Sequence, residues 1–245
     1  MKPKPYLREV SLKRDEIDNL DDYPFQIPAI KHLETVEFHE DITFFVGENG
    51  SGKSTLIEAI AIGLGFSPEG GTKNVRLETH QNTSNLNEYL CFVNNYKKPS
   101  DYYFLRAESF YNLATYVEET DVLIGYDGYG GKSLHAQSHG EAFFSTLNYK
   151  LRGNGLYIFD EPEAALSPQR QLAALVVMHK LVKKNSQFII ATHSPILLAY
   201  PNAKIYQMGE NGIQEVAYEE TESFIVTKDF LSNYRNSLRI LLAEN

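Results

Sequence analysis

An α/β fold with a mixed, largely parallel sheet flanked by helices is the fold class that the sequence predicts, on three observations. Continuous apolar and β-branched runs at residues 42–46, 102–106, 156–159 and 187–191 read as strands buried on both faces. Stretches with apolar residues at helical spacing, chiefly 53–63 and 168–183, separate them. A glycine-rich turn at 47–52 joins the first of these strands directly to a helix, the connection expected of a parallel sheet.

In chain order, the strand 42–46 is preceded by a partner strand around 33–38. The helix 53–63 sets Leu56, Ile57, Ile60 and Leu64 on one face. Residues 67–98 are polar and rich in Asn, Gly and Thr, so they read as loops with an edge strand at 89–93. The strand 102–106 leads to a helix near 109–118, and the segment from Gly125 to Gly131 has too many glycines for regular structure. A helix at 140–151 and the strand 156–159 follow. The entry to the helix 168–183 is well specified, because Ser167 suits the N-cap and Pro168 the first helical position. Lys183 and Lys184 favour its negative C-terminal end. The strand 187–191, a short turn or helix after Pro195, a hairpin of 204–208 with 213–218 and a helical tail at 229–243 complete the chain.

The chain has 245 residues, 42% hydrophobic and 22% charged, which is the composition of one elaborated globular domain. Disorder of the whole is excluded. No run approaches the ~18 apolar residues of a membrane span, and the N-terminus is charged where a signal peptide needs an apolar stretch. With a single cysteine, Cys91, the sequence predicts a soluble cytoplasmic protein without membrane insertion. The balance of 23 basic against 32 acidic residues, −9, counts against a broad nucleic-acid footprint and leaves only a local basic groove. The short pairs Lys97-Lys98 and Lys183-Lys184 read as solvated faces.

Chemistry concentrates in three places. Gly47-Glu48-Asn49-Gly50-Ser51-Gly52-Lys53-Ser54 matches G-x-x-x-x-G-K-[ST] at every fixed position, between a predicted strand and a predicted helix. Glycines let backbone N–H groups turn toward phosphates, Lys53 reaches the β- and γ-phosphates of ATP, and the Ser54 hydroxyl ligates Mg²⁺, with Thr55 beside it. The strand 156–159 ends in Asp160-Glu161. It delivers Asp160 to the C-terminal sheet edge, where it can hold Mg²⁺ directly or through water. Glu161 then orients or deprotonates the attacking water. His193, just past the strand 187–191, is placed to meet the γ-phosphate or that water. His179, in the middle of a helix, is read as structural.

With these residues in place, the chain resembles the ATP-binding-cassette class of P-loop NTPases, particularly the non-transporter branch of RecF and structural-maintenance-of-chromosomes heads. Five features carry the resemblance in order across 42–195: the phosphate loop, Ser138-His139-Gly140-Glu141 at the place of the signature, the Asp160-Glu161 strand, a D-loop-like Ala164-Ala165-Leu166-Ser167-Pro168, and His193. The resemblance implies one domain over 1–245, with a helical and irregular lobe at about 107–150. It also implies that Ser138, Gly140 and Glu141 bind the γ-phosphate held by a second copy in an ATP-dependent homodimer. Gln137 and His139 depart from the usual Leu-Ser-Gly-Gly pattern, and Ser-x-x-Glu is equally a capping box at an ordinary helix start. No glutamine stands at the usual place of the Q-loop, with Gln81 the weaker of two candidates for its role. Glu108 takes that position near Mg²⁺, Arg106 beside it is placed to contact phosphate, and Tyr23 or Phe25 stacks on adenine.

From Glu108 to Ser138 two helical arms reach only about 20 Å at ~1.5 Å per residue, which excludes long coiled-coil arms. The expected function is Mg-dependent ATP hydrolysis, in which dimerisation switches an unidentified partner protein or nucleic acid, as in DNA repair or phage defence. The alternative is the ATP-binding subunit of a membrane transporter. The altered signature and Glu163, where transporters usually carry Thr, count against it. A small-molecule kinase would need an arginine-rich lid that the sequence lacks.

Overall fold

Why Arg106, Asp160 and Ala191 end up side by side is a matter of strand register. The computed structural model describes residues 4–73, 84–107 and 139–243. Along the chain come β1 (Leu7–Leu12), α1 (Pro28–Lys31), β2 (Thr35–Glu37), β3 (Ile42–Val46), α2 (Lys53–Gly63), β4 (Leu90–Asn94) and β5 (Asp101–Arg106). After them come α3 (His139–Ser145), β6 (Gly155–Asp160), α4 (Pro168–Lys183), β7 (Gln187–Ala191), α5 (Pro195–Leu198), β8 (Lys204–Gly209), β9 (Gly212–Glu215), α6 (Glu222–Ser232) and α7 (Tyr234–Leu241).

The main sheet has the order β5-β6-β7-β3-β8-β9, parallel throughout except for β9, which returns antiparallel to β8 through a tight hairpin. Arg106 pairs with Asp160, and Asp160 with Ala191, so the C-terminal ends of three strands lie level at one edge. Strand periodicity divides the core in two. Phe44, Phe159 and Phe188 face Phe143 of α3 and Met178 of α4, while Phe45, Ile158 and Ile189 face Leu56, Ile57 and Ile60 of α2. Both faces being covered explains why β3, β6 and β7 are buried along their whole length.

A second, antiparallel sheet of order β2-β1-β4 packs on the α2 side. Its anchor is the buried amide of Gln187. Its Oε1 accepts from the N–H groups of Tyr6 and Leu7 at 2.8 and 3.0 Å, and its Nε2 donates to the carbonyls of Leu7 and His39 at 2.9 and 3.1 Å. A buried side chain with its donors and acceptors met in this way stitches the small sheet to the large one.

The structure departs from the sequence-based expectation at four places. The strand before β3 is not its partner: β2 pairs with β1 in the small sheet, and β3 lies between β7 and β8. β1 itself was not foreseen, because a register shift between Leu7 and Glu9 breaks its alternation. The helix expected over 140–151 is α3 followed by a π-turn at Thr146–Lys150. The tail is two helices, starting at Glu222 rather than 229 and broken at Asn233. The helix expected at 109–118, the glycine segment 125–131, and Gln81, Gln137, Glu108 and Ser138 lie outside the described residues.

Candidate functional site

Two glycines of the phosphate loop, Gly47 and Gly52, sit where a side chain would be crowded and strained. Gly47 has φ +153, and a Cβ there would lie 2.4 Å from the Met208 carbonyl oxygen of β8 and 2.8 Å from Ser51 Oγ. Gly52, at φ +94, closes the loop in the left-handed region and starts α2. The first helical residue is Lys53. Lys53 as a whole is 4% exposed, and its ammonium donates to the carbonyls of Gly47 and Glu48 at 3.0 and 2.9 Å. Burial pushes its pKa below the ordinary lysine value, opposed by the nearby carboxylates of Glu161, Asp160 and Glu163. Glu48, Asn49 and Gly50, at the loop tip, are exposed. Thr55 is half-buried.

Ser54 donates its hydroxyl to Asp160 Oδ1 at 3.0 Å, so the second residue of α2 and the last of β6 meet across the sheet edge. Asp160 is 4% exposed, and burial raises its carboxyl pKa to about 6; Ser54 and Arg106 pull it back, while Glu161 and Glu58 push it up. Arg106 Nη1 contacts Glu58 Oε2 at 2.5 Å and its Nε lies 3.7 Å from Asp160 Oδ2. The guanidinium that sequence reasoning set against phosphate is thus held between two carboxylates. A cleft of about 350 Å³ opens here, lined by Ser54, Arg106, Asp160, Glu161 and Ala164 among others.

Glu161 occupies the left-handed region at φ +50, ψ +52, a conformation costing a non-glycine residue on the order of 1 kcal/mol. Its N–H is tied to the Ala191 carbonyl at 3.0 Å, which fixes the turn that presents its half-exposed carboxylate to the cleft. His193 Nε2 stands 3.5 Å from Glu161 Oε1. Two side chains that sequence reasoning did not assign hold His193 from behind. Glu163 Oε1 accepts the His193 N–H at 2.5 Å, and Ser194 donates to Gln171 Oε1 at 2.5 Å while capping α5. Glu163 had been noted only as a departure at its position. Gln171 carries no motif, and only the fold brings it there.

Gly140 and Glu141 sit at the start of α3. A Cβ on Gly140 would meet Arg170 Nη1 at 2.3 Å and the Ala165 carbonyl oxygen at 2.7 Å, and Glu141 lies 3.5 Å from Arg170 Nη2. Close packing within the chain therefore accounts for this glycine, whatever its further role. One adenine-stacking candidate is corrected: Phe25 is 5% exposed and packs edge-on against Tyr89 at 5.0 Å, so its faces belong to the core. Tyr23 is 59% exposed. His179 Nδ1 bonds the Tyr200 hydroxyl at 3.0 Å, a structural contact.

Two family models match the chain. One, described as an AAA domain, covers residues 17–125; the other, also an AAA domain, whose description names the AbiEii toxin and a type IV toxin–antitoxin system, covers 142–199. Similar solved structures include the SMC head domain from Thermotoga maritima, 16% identical, covering 86% of this chain and 98% of that one at TM-score 0.46. Another is cbiO1 from Clostridium perfringens, part of the ABC transporter complex cbiONQ, 18% identical with 86% and 91% covered at TM-score 0.46. No curated protein matches the chain. The phosphate loop lies within the first AAA-domain match and the Asp160-Glu161 strand end within the second, and the two meet at the Ser54–Asp160 contact. No helix among the described residues is long and apolar enough to cross a membrane.

Proposed function

We propose that the chain hydrolyses ATP to ADP and phosphate with Mg²⁺, and that ATP joins two copies head to tail as a switch acting on a partner protein or nucleic acid in the cytoplasm. The observation that carries the reading is the pair Ser54 Oγ and Asp160 Oδ1, 3.0 Å apart beside Glu161 and His193. Two hard oxygens at that separation suit adjacent positions of an octahedron with bonds of about 2.1 Å. Among the described residues no cluster of three or more His, Cys, Asp or Glu forms a dedicated metal cage. A site with two protein oxygens and the remainder from phosphate and water is the usual arrangement for Mg²⁺. When bound, the ion neutralises charge on the β- and γ-phosphates.

The side chains then divide the work. Lys53 leaves the loop carbonyls for the phosphate oxygens, and the N–H groups of the loop and of the α2 N-terminus cradle the anion. Glu161 accepts a proton from the water whose oxygen bonds the γ-phosphorus as the bond to the β-γ bridging oxygen breaks. His193, locked by Glu163, orients that water or the γ-phosphate. Glu108 is proposed as a further group near the metal.

The exposed tip Glu48-Asn49-Gly50 leaves one side of the triphosphate open. We assign its closure to Ser138, Gly140 and Glu141 of a second copy. Supporting this, α3 packs in its own chain on α4 and on the 162–165 turn. Two such contacts make an isologous pair, and a ligand that both copies hold shifts the equilibrium toward it. DNA repair and phage defence are the two settings we propose for the switch. Light scattering of the Glu161→Gln protein tests the reading: a monomer without nucleotide and a dimer with ATP are expected. Equal dimerisation by Ser138→Arg in that background would reduce the signature to a capping box.

A further inference from the structure

The last two helices carry an apolar face that nothing in the described residues covers. Neither α6 nor α7 has a buried residue. Val226, Leu231 and Leu241 are 59, 67 and 71% exposed, and Tyr234, Leu238 and Leu241 follow one another at helical spacing. α6 is nonetheless anchored at its start. Thr221 caps α6, Phe224 packs on Tyr218 at 4.7 Å, and the Tyr218 hydroxyl donates to the Pro195 carbonyl, two residues past His193, at 2.8 Å.

This anchoring stands α6 beside the phosphate loop. A cleft of about 520 Å³ has Gly47, Glu48, Asn49 and His193 on one wall and Val226 and Thr227 on the other. Whatever closes over the loop tip must also meet Val226. We propose that the apolar face of α6 and α7 is the outer part of the interface with a second copy of this chain, covered when that copy closes over ATP. The inference rests on the dimer reading above and adds the surface that carries it.

Area and charge both favour a second copy as the occupant. A fully exposed aliphatic side chain offers roughly 60–120 Å², so the face presents on the order of 500 Å² of apolar surface, the upper end of what a monomer leaves open. A stable interface takes about 800 Å² from each partner. The helices alone therefore fall short, and the phosphate-loop surface with its nucleotide supplies the rest, which makes association depend on ATP. α7 bears Arg235 and Arg239 and no acid, whereas the chain as a whole carries −9, so another copy attracts this helix.

The test compares the Glu161→Gln protein with the same protein carrying Leu231→Glu and Leu241→Glu, exposed positions whose change leaves the fold intact. Light scattering with ATP and Mg²⁺ is combined with calorimetric ATP affinity and hydrogen exchange over 222–241. The expected result is ATP affinity of the dilute monomer within about twofold, a dimer weakened at least ~10-fold by the double change, and amide exchange over 222–241 slower in the dimer than in the nucleotide-free monomer. Dimerisation of the variant at the parent's concentration overturns the proposal and leaves the dimer reading standing. Exchange over 222–241 no slower in the dimer than in the nucleotide-free monomer overturns it too, since the second copy then does not cover the face. So does flotation with phosphatidylglycerol vesicles that the double change abolishes, which assigns the face to lipid. A parent that stays monomeric with ATP removes the dimer reading and this proposal together.

Discussion

The carboxylate of Glu163 accepts the backbone N–H of His193 at 2.5 Å, linking the turn after β6 to the residue that follows β7. Both candidate reacting groups, Glu161 and His193, are thus positioned by one short bridge. A charge-assisted hydrogen bond of this kind contributes about 1.5–3 kcal/mol. Glu163→Ala should lower kcat roughly 10- to 100-fold with little change in the KM for ATP, and Glu163→Gln, which keeps an acceptor oxygen, should recover much of it. Steady-state phosphate release on the two variants checks this; equal rates for all three proteins would show that the bridge does not serve the reaction.

Lys53→Ala should abolish measurable ATP binding. The ammonium is the only cation the phosphate loop carries, and helix and backbone dipoles alone are weaker partners for a triphosphate. Calorimetry is the measurement, with circular dichroism to establish that the loop carbonyls of Gly47 and Glu48 tolerate the loss of their donor. Unchanged affinity would mean that the nucleotide binds elsewhere.

Glu161→Gln should bind ATP normally and hydrolyse it at least ~100-fold more slowly, the scale of a lost general base. The amide keeps the size of the side chain and the turn at φ +50, so a structural cause is excluded by equal thermal stability. Near-parental turnover would transfer the role to His193, 3.5 Å away.

Much of this was legible in the sequence because it is local. The strand 42–46, the loop and the helix 53–63 are neighbours along the chain, each with its own periodicity or motif, and all three have the expected bounds. Ser167 and Pro168 announced α4, and Ser167 indeed accepts from the Arg170 N–H. What stayed hidden is long-range or irregular. β1 lost its alternation to a bulge, and its tie to the main sheet runs through one glutamine amide 180 residues away. Phe25 looked available for stacking because sequence does not reveal which aromatic turns inward. The bridges from Glu163 and Gln171 to the His193 segment join residues 30 and 23 positions apart, so no spacing rule points to them.

Asp160 should make the nucleotide-free protein less stable above about pH 6. Burial holds its carboxyl pKa at about 6 in the fold against 3.8 for the free side chain. Between those values the folded chain keeps a proton that the unfolded chain has released, so stability falls as pH rises through that window. Above it, the buried charge costs the fold up to about 3 kcal/mol. Asp160→Asn removes the charge but faces Arg106 with an amide, so the net gain at pH 7.5 should be roughly 1–2 kcal/mol, or about 3–6 °C in Tm. Lowering the pH should shrink the gain from about pH 6 downward and erase it near pH 4, where Asp160 is neutral in both states. With Mg²⁺ and ATP the order should reverse, because only the carboxylate supplies the anionic oxygen beside Ser54. Thermal unfolding across that pH range, with and without Mg²⁺ and ATP, reads both signs. A variant no more stable at pH 7.5 would mean that Arg106 and Ser54 already offset the burial, and a Tm that still rises above the parent's with Mg²⁺ and ATP would remove Asp160 from the metal site.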